Sequence, residues 1–304
     1  MSASKRFLPP EAVKRVQRLE LQARHIVEGF LSGAHRSPYF GQSVEFVQHR
    51  QYVPGDDVRH VDWKVWARQD RLVIKQYEED TNLRCSLLID SSASMSYGRS
   101  ANAKFANTKF EMASILAACI SLLVLKQQDA VGSVMFDNKI RSRVPLRTSQ
   151  RHLTDILASL ENSQPREKTN LDSLFRDVVQ TFPKRGLMIL LSDLLGAEES
   201  TLRGIDVLRR AGHDVMVLHI LDDDEIDFPF ADPTRFEGLE SDDHLTCNPR
   251  ALREGYLEAL ERFLDRVRRA CAASKSDYLL IRTSDAPEVV LSKILSDRMH
   301  SVRR

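Results

Sequence analysis

Cysteine is scarce in this chain of 304 residues: Cys85, Cys119, Cys247 and Cys271 lie far apart and form no CxxC pair. That spacing excludes a zinc cluster and a dense disulfide framework, and it fits a reducing compartment. Net charge is nearly absent as well, with 44 Lys and Arg against 43 Asp and Glu. No global basic field draws in nucleic acid or an anionic membrane, so partners must be selected locally. Glycine and proline, at 12 and 11 residues, are too few for a collagenous or low-complexity chain. Long apolar runs are missing too. The longest uncharged one, residues 112–125, has about 14 residues, short of the ~20 that span a bilayer, and reads as a buried helix. Residues 1–6 lead into Phe7-Leu8-Pro9-Pro10 and a charged amphipathic stretch, not an apolar leader core, so a cytoplasmic location is expected. The sequence has no G-x-x-x-x-G-K-[ST], G-x-S-x-G or H-E-x-x-H. Any ATPase activity must therefore belong to a partner, and neither a serine triad nor a zinc protease is indicated.

What is present is an ordinary globular composition, 42% hydrophobic and 29% charged. Val13, Val16, Leu19, Ala23, Ile26, Val27, Phe30 and Leu31 recur at spacings of three and four, which predicts a docked amphipathic helix over 11–31. Residues 33–80 break into turn formers, aromatics and isolated charges, with strand-like alternation over 72–77. Beyond Asn82, strands are predicted at 84–90, 130–136, 140–144, 186–193, 214–221 and 277–283. Helices are predicted at 104–127, 148–162, 171–182, 199–211, 250–273 and 287–298. Apolar strands separated by helices predict an α/β fold: a doubly wound, mostly parallel, six-stranded Rossmann-like sheet, whose ligands bind beyond the C-terminal strand ends. The expected division is an N-terminal helix and loop-rich extension, 1–81, packed on a core domain, 82–304. One stretch interrupts the core at about 222–249: between Asp222 and Asp243 lie ten acids and a single base, Arg235. It is either a solvated excursion or a docking surface for a basic partner.

The chemistry concentrates after the first core strand, at Asp90-Ser91-Ser92-Ala93-Ser94. Alternate residues there can turn one carboxylate and two hydroxyls toward a single point, although a Ser-rich turn after a strand also reads as a helix N-cap. Thr169, ahead of the helix at 171, and Asp193, ending the very apolar fourth strand, are expected at the same sheet edge. Two Asp and three hydroxyls without His or Cys suit a hard divalent cation, Mg²⁺ first and Mn²⁺ or Ca²⁺ as alternatives. Mg²⁺ wants six oxygens, so an open position would remain for a partner's carboxylate. His213 and His219 flank the fifth core strand and read as packing or surface residues, and Cys119 as a small core hydrophobe.

Asp90, Ser92, Ser94, Thr169 and Asp193 together resemble the metal-ion-dependent adhesion site of von Willebrand factor A domains. Upstream, Gly33-Ala34-His35-Arg36-Ser37, Arg50-Gln51-Tyr52-Val53-Pro54-Gly55-Asp56-Asp57-Val58-Arg59-His60-Val61-Asp62-Trp63 and Ala67-Arg68 are similar to the signature of domain-of-unknown-function family fifty-eight. These bacterial proteins resemble A domains and are typically encoded beside MoxR-type AAA+ ATPases. The resemblance implies a non-enzymatic, metal-dependent interaction module acting with such an ATPase in chaperone-like maturation or remodelling of clients. It would be cytoplasmic, reaching the inner membrane only through partners. Read from the residues, Arg50, Tyr52, Asp56, Arg59, Asp62, Trp63 and Arg68 form either a salt-bridged clamp on the core or a phosphate or partner site. The competing functional reading is a metal-dependent phosphohydrolase with Asp90 as nucleophile. It would want a second acid where Ser92 stands, and the sequence offers no obvious Lys for the phosphate. Under the interaction reading, Asp193→Ala and Thr169→Ala are expected to weaken partner binding and leave the fold intact.

Overall fold

The computed structural model of the chain describes residues 10–33, 46–53, 61, 63–69, 71–77, 83–98, 108–163, 165, 174–195, 198–240 and 243–301. The elements are α1 (Pro10–Gly33), β1 (Phe46–Gln51), α2 (Trp63–Gln69), β2 (Val73–Tyr77) and β3 (Arg84–Asp90). A 3-10 turn (Ala93–Ser96), α3 (Lys109–Lys126), β4 (Ala130–Phe136), β5 (Ile140–Arg147), α4 (His152–Asn162) and α5 (Leu174–Thr181) follow. Then come β6 (Leu187–Ser192), α6 (Glu198–Arg210), β7 (Asp214–Leu221), α7 (Asp223–Asp227), β8 (Thr234–Glu237) and β9 (His244–Cys247). The series ends with α8 (Pro249–Ala273), β10 (Asp277–Arg282) and α9 (Pro287–Ser301).

Six strands form the expected central sheet, in the order β10-β7-β6-β3-β4-β5, parallel except for β5 at one edge. The alternation along the buried strands sorts their side chains onto two faces. Leu87 and Ile89 of β3 join Ile189 and Leu191 of β6 in one cluster beneath α1, α3, α4 and α9. Leu88, Met188 and Leu190 face the other way, against Phe175 and Val178 of α5, Ile205 and Leu208 of α6, and Val267 of α8. Helices on both faces make the sheet doubly wound, as its sequence periodicity predicts. Gly186 permits a close approach at the start of β6, since a Cβ there would sit 2.4 Å from the Arg84 carbonyl oxygen.

α3 is apolar nearly all round because sheet and helices enclose it, with Met112 through Leu125 buried. Thr108 caps it, its hydroxyl accepting the Glu111 N–H. α1 buries Val16, Leu19, Ala23, Ile26 and Val27 in the same cluster, whereas Val13 and Leu31, near its ends, stay exposed. The acidic segment is more than an excursion. It builds α7, which Asp222 opens with a capping box to Glu225, and an antiparallel β8–β9 hairpin.

From β3 the chain crosses to β4 on one side and later returns to β6 on the other. The C-terminal ends of β3 and β6 therefore meet at the switch point of the sheet, where crevices open in such folds. Among the described residues, no helix is long and apolar enough to cross a membrane.

Candidate functional site

Asp90 ends β3 as a buried carboxylate. Its Oδ1 accepts the Ser92 N–H at 2.9 Å, and its Oδ2 accepts the hydroxyl of Ser192, the last residue of β6, at 2.5 Å. The turn that follows is pinned to β4, because the Ser91 N–H and hydroxyl both donate to the Phe136 carbonyl. The 3-10 turn then brings the Ser92 and Ser94 hydroxyl oxygens to 3.0 Å of each other. Four of the five expected ligands lie in described residues, and the structure brings Asp90, Ser92 and Ser94 together in this turn. Thr169 lies outside the described residues.

Asp193 follows β6 directly, fully buried. Its Oδ1 accepts the Leu195 N–H at 3.1 Å, and its backbone carbonyl accepts from His219 Nε2 at 2.9 Å. The intervening Leu194 is held at φ +57°, the left-handed region that a branched side chain rarely adopts. His219 is therefore a positioning residue, more than packing. Burial pushes its imidazole down to about 4, so it is neutral near pH 7. With Nε2 carrying the proton for Asp193, Nδ1 is left to accept from the Tyr278 hydroxyl at 2.9 Å.

Sequence reasoning missed Lys109 and Glu225. Lys109 opens α3 and has 0% exposure. Its N–H donates to the Tyr97 carbonyl, which ties the helix start to the Ser92–Ser94 turn. Its Nζ lies 2.8 Å from Asp193 Oδ2 and 2.6 Å from Glu225 Oε1. Burial alone would lower the ammonium, but Asp193 and Glu225 outweigh it and hold Lys109 above its usual range. A helix predicted from 104 hides the signal that the structure reveals by opening α3 at Lys109. A cation in the first turn of a helix opposes the helix dipole, so it calls for an anionic partner.

Asp90 has no such counter-charge. Burial, and then the nearby Asp193 carboxylate, lift it to about 7 against the hydrogen bonds from Ser192 and Ser92. Two buried carboxylates repelling each other beside two hydroxyls are the donor chemistry of a hard cation site, and the residues present fit Mg²⁺. Among the described residues, no group of three or more His, Cys, Asp and Glu side chains is arranged to hold a metal. A cation here would thus depend on the hydroxyls. Ser94, Tyr97 and Lys109 border a cavity of about 380 Å³ that Phe228, Phe236 and Tyr256 also line. Glu237 and Glu240 of the acidic segment also line it.

The second candidate cluster is only partly described. Tyr52 donates its N–H to the Leu72 carbonyl, and Arg68 is exposed in the last turn of α2. Trp63 is 55% exposed and meets Trp66 edge to face at 6.0 Å. Arg50 pairs with Ile74 in the β1–β2 ladder through its backbone, while Asp56, Arg59 and Asp62 lie outside the described residues.

A family model described as "Protein of unknown function DUF58" matches residues 48–263. Uncharacterized protein Rv1480 of Mycobacterium tuberculosis and uncharacterized protein Mb1516 of Mycobacterium bovis are each 27% identical over 281 residues, spanning 90% of this chain and 86% of theirs. Among solved structures, the chain is similar to the conserved hypothetical protein BatB from Bacteroides thetaiotaomicron, at 14% identity and a TM-score of 0.45, covering 73% of this chain and 100% of that one. The SpRpn10 VWA domain is similar at 12% identity and a TM-score of 0.39, covering 70% and 95%. On the match over residues 48–263, the chain belongs to the DUF58 family of proteins of unknown function.

Proposed function

We propose that this chain is a non-enzymatic, metal-dependent protein-interaction module. In this reading Asp90, Ser92, Ser94 and Asp193, with Thr169, hold Mg²⁺, and an acidic side chain of a partner completes the shell. The observation that carries it is the pair of buried, mutually repelling carboxylates, Asp90 and Asp193, beside the paired Ser92 and Ser94 hydroxyls at the switch point of the sheet. In this reading, as the resemblance implies, the partner is a MoxR-type AAA+ ATPase, with client proteins that the two together mature or remodel in the cytoplasm. The absence of a nucleotide-binding loop in the sequence agrees with an ATPase supplied in trans.

A second reading has one observation behind it. Lys109 supplies, beside Asp193, a lysine for the phosphate of a phosphohydrolase with Asp90 as nucleophile. Against it, both Asp90 oxygens already accept hydrogen bonds, which blunts a nucleophile. One experiment separates the two. Tagged protein is used to capture partners from its own cells in Mg²⁺ and in EDTA, beside Asp90→Ala, and each preparation is offered an aryl phosphate. The interaction reading predicts an AAA+ ATPase or its client, retained in Mg²⁺, lost in EDTA and lost with Asp90→Ala, and no turnover. Sustained phosphate release abolished by Asp90→Ala would overturn it.

A further inference from the structure

We propose that Lys109 is a resident cation that competes with the divalent metal for Asp193, and that Glu225 is the anchor that receives its ammonium when metal takes Asp193. The inference rests on the metal reading of the site and specifies its regulation. Asp193 has one oxygen committed to the Leu195 N–H and the other to Lys109 Nζ. A metal that uses Asp193 must therefore displace Nζ from Oδ2 or share the carboxylate with it. Sharing places two cations a few ångströms apart in a buried site, where their repulsion is weakly screened.

Displacement has a ready destination. Glu225, itself partly buried, already holds Nζ at 2.6 Å, so the ammonium can let go of Asp193 and keep an anionic partner. Glu225 is itself fixed. Its second oxygen accepts the Asp222 N–H at 2.7 Å, and Asp222 is held in turn by the Thr283 hydroxyl at 2.7 Å. The N-terminal end of α3 is equally anchored, through the Thr108 cap and the Tyr97 carbonyl, so only the side chain of Lys109 needs to move. The consequence is a site that holds metal weakly alone and loads fully once a partner carboxylate adds negative charge. Lys109 thereby couples metal loading to partner docking and to α7.

The test is Mn²⁺ binding, followed by the loss of the free-ion electron paramagnetic resonance signal, for wild type, Lys109→Met and Lys109→Met/Glu225→Gln. Lys109→Met should bind Mn²⁺ at least about tenfold more tightly than wild type, because a buried like charge is gone. The double variant restores the wild-type net charge of the site and should keep most of that gain, since Asp193 stays untethered. It also remains charge-balanced if Lys109→Met alone does not fold, and then carries the comparison. Mn²⁺ should raise the melting temperature of the variants more than that of wild type. Equal or weaker binding by Lys109→Met, or a double variant that falls back to the wild-type affinity, overturns the proposal and leaves the metal site standing. No uptake by any of the three proteins removes the metal site and the competition together.

Discussion

Asp193→Ala should destabilise the protein by about 3 kcal/mol, the low end for breaking a buried ion pair, so its partner binding has to be compared with wild type at equal stability. The reason is the Lys109 ammonium, which at 0% exposure would keep only Glu225 for its charge. Glu225 holds the loss to the low end of that range. The Leu195 N–H would also lose its acceptor at a backbone already strained at Leu194. Urea unfolding of wild type, Asp193→Ala and Asp193→Asn measures this directly. Asp193→Asn should fall between the other two, because its amide oxygen still accepts from Leu195 while the charge is gone. An Asp193→Ala midpoint equal to wild type would mean that the Lys109 pair contributes nothing to stability.

Asp90→Asn should act in the opposite direction, stabilising the metal-free protein above neutral pH. Asp90 is raised from 3.8 to about 7 by burial and by Asp193, so over that interval the folded chain holds a proton that the unfolded chain has released. Raising the pH through this window therefore favours unfolding, by about 1.4 kcal/mol for each pH unit crossed and a few kcal/mol in all. His219 works with the other sign. Its value falls from 6.5 to about 4, so its contribution is lost as pH drops through that range. The two windows overlap, and the informative quantity is the difference between wild type and Asp90→Asn, from which His219 cancels. In EDTA that difference should grow as pH rises toward about 7 and level off above it. A pH-independent difference would place the Asp90 carboxyl in its ordinary range.

The sheet was legible because its signal is local. Unbroken apolar runs such as Leu187–Leu191 state that a strand is buried on both faces, and the helices between them imply parallel order. The edge was less clear. Sequence reading stops the third core strand at Val144, before Pro145, but β5 runs on to Arg147. A proline is tolerated there because β5 is the edge strand, with one side free of ladder partners. Its alternating exposed Arg141, Arg143 and Arg147 also dilute the apolar signal.

The site was legible in the part that one strand end carries, Asp90 to Ser94, and in Asp193, because each closes a strand whose position the pattern reveals. Lys109 was not. Its partners lie 84 and 116 residues away, and nothing in the spacing around a lone helix-start lysine names them. The acidic segment misled for a related reason. Composition marks it as charged, but a capping box between Asp222 and Glu225 turns part of that charge inward onto Lys109, as charge counting alone cannot reveal.

The central claim is that the switch point of the sheet holds a divalent cation through Asp90 and the two serines. A Mn²⁺ titration of wild type beside Ser92→Ala and Asp90→Ala, each checked for an unchanged fold by circular dichroism, tests it most directly. Wild type should bind one saturable Mn²⁺ per chain, competed by Mg²⁺ and lost in both variants. Wild type that takes up no Mn²⁺, or variants that bind it as wild type does, would contradict it.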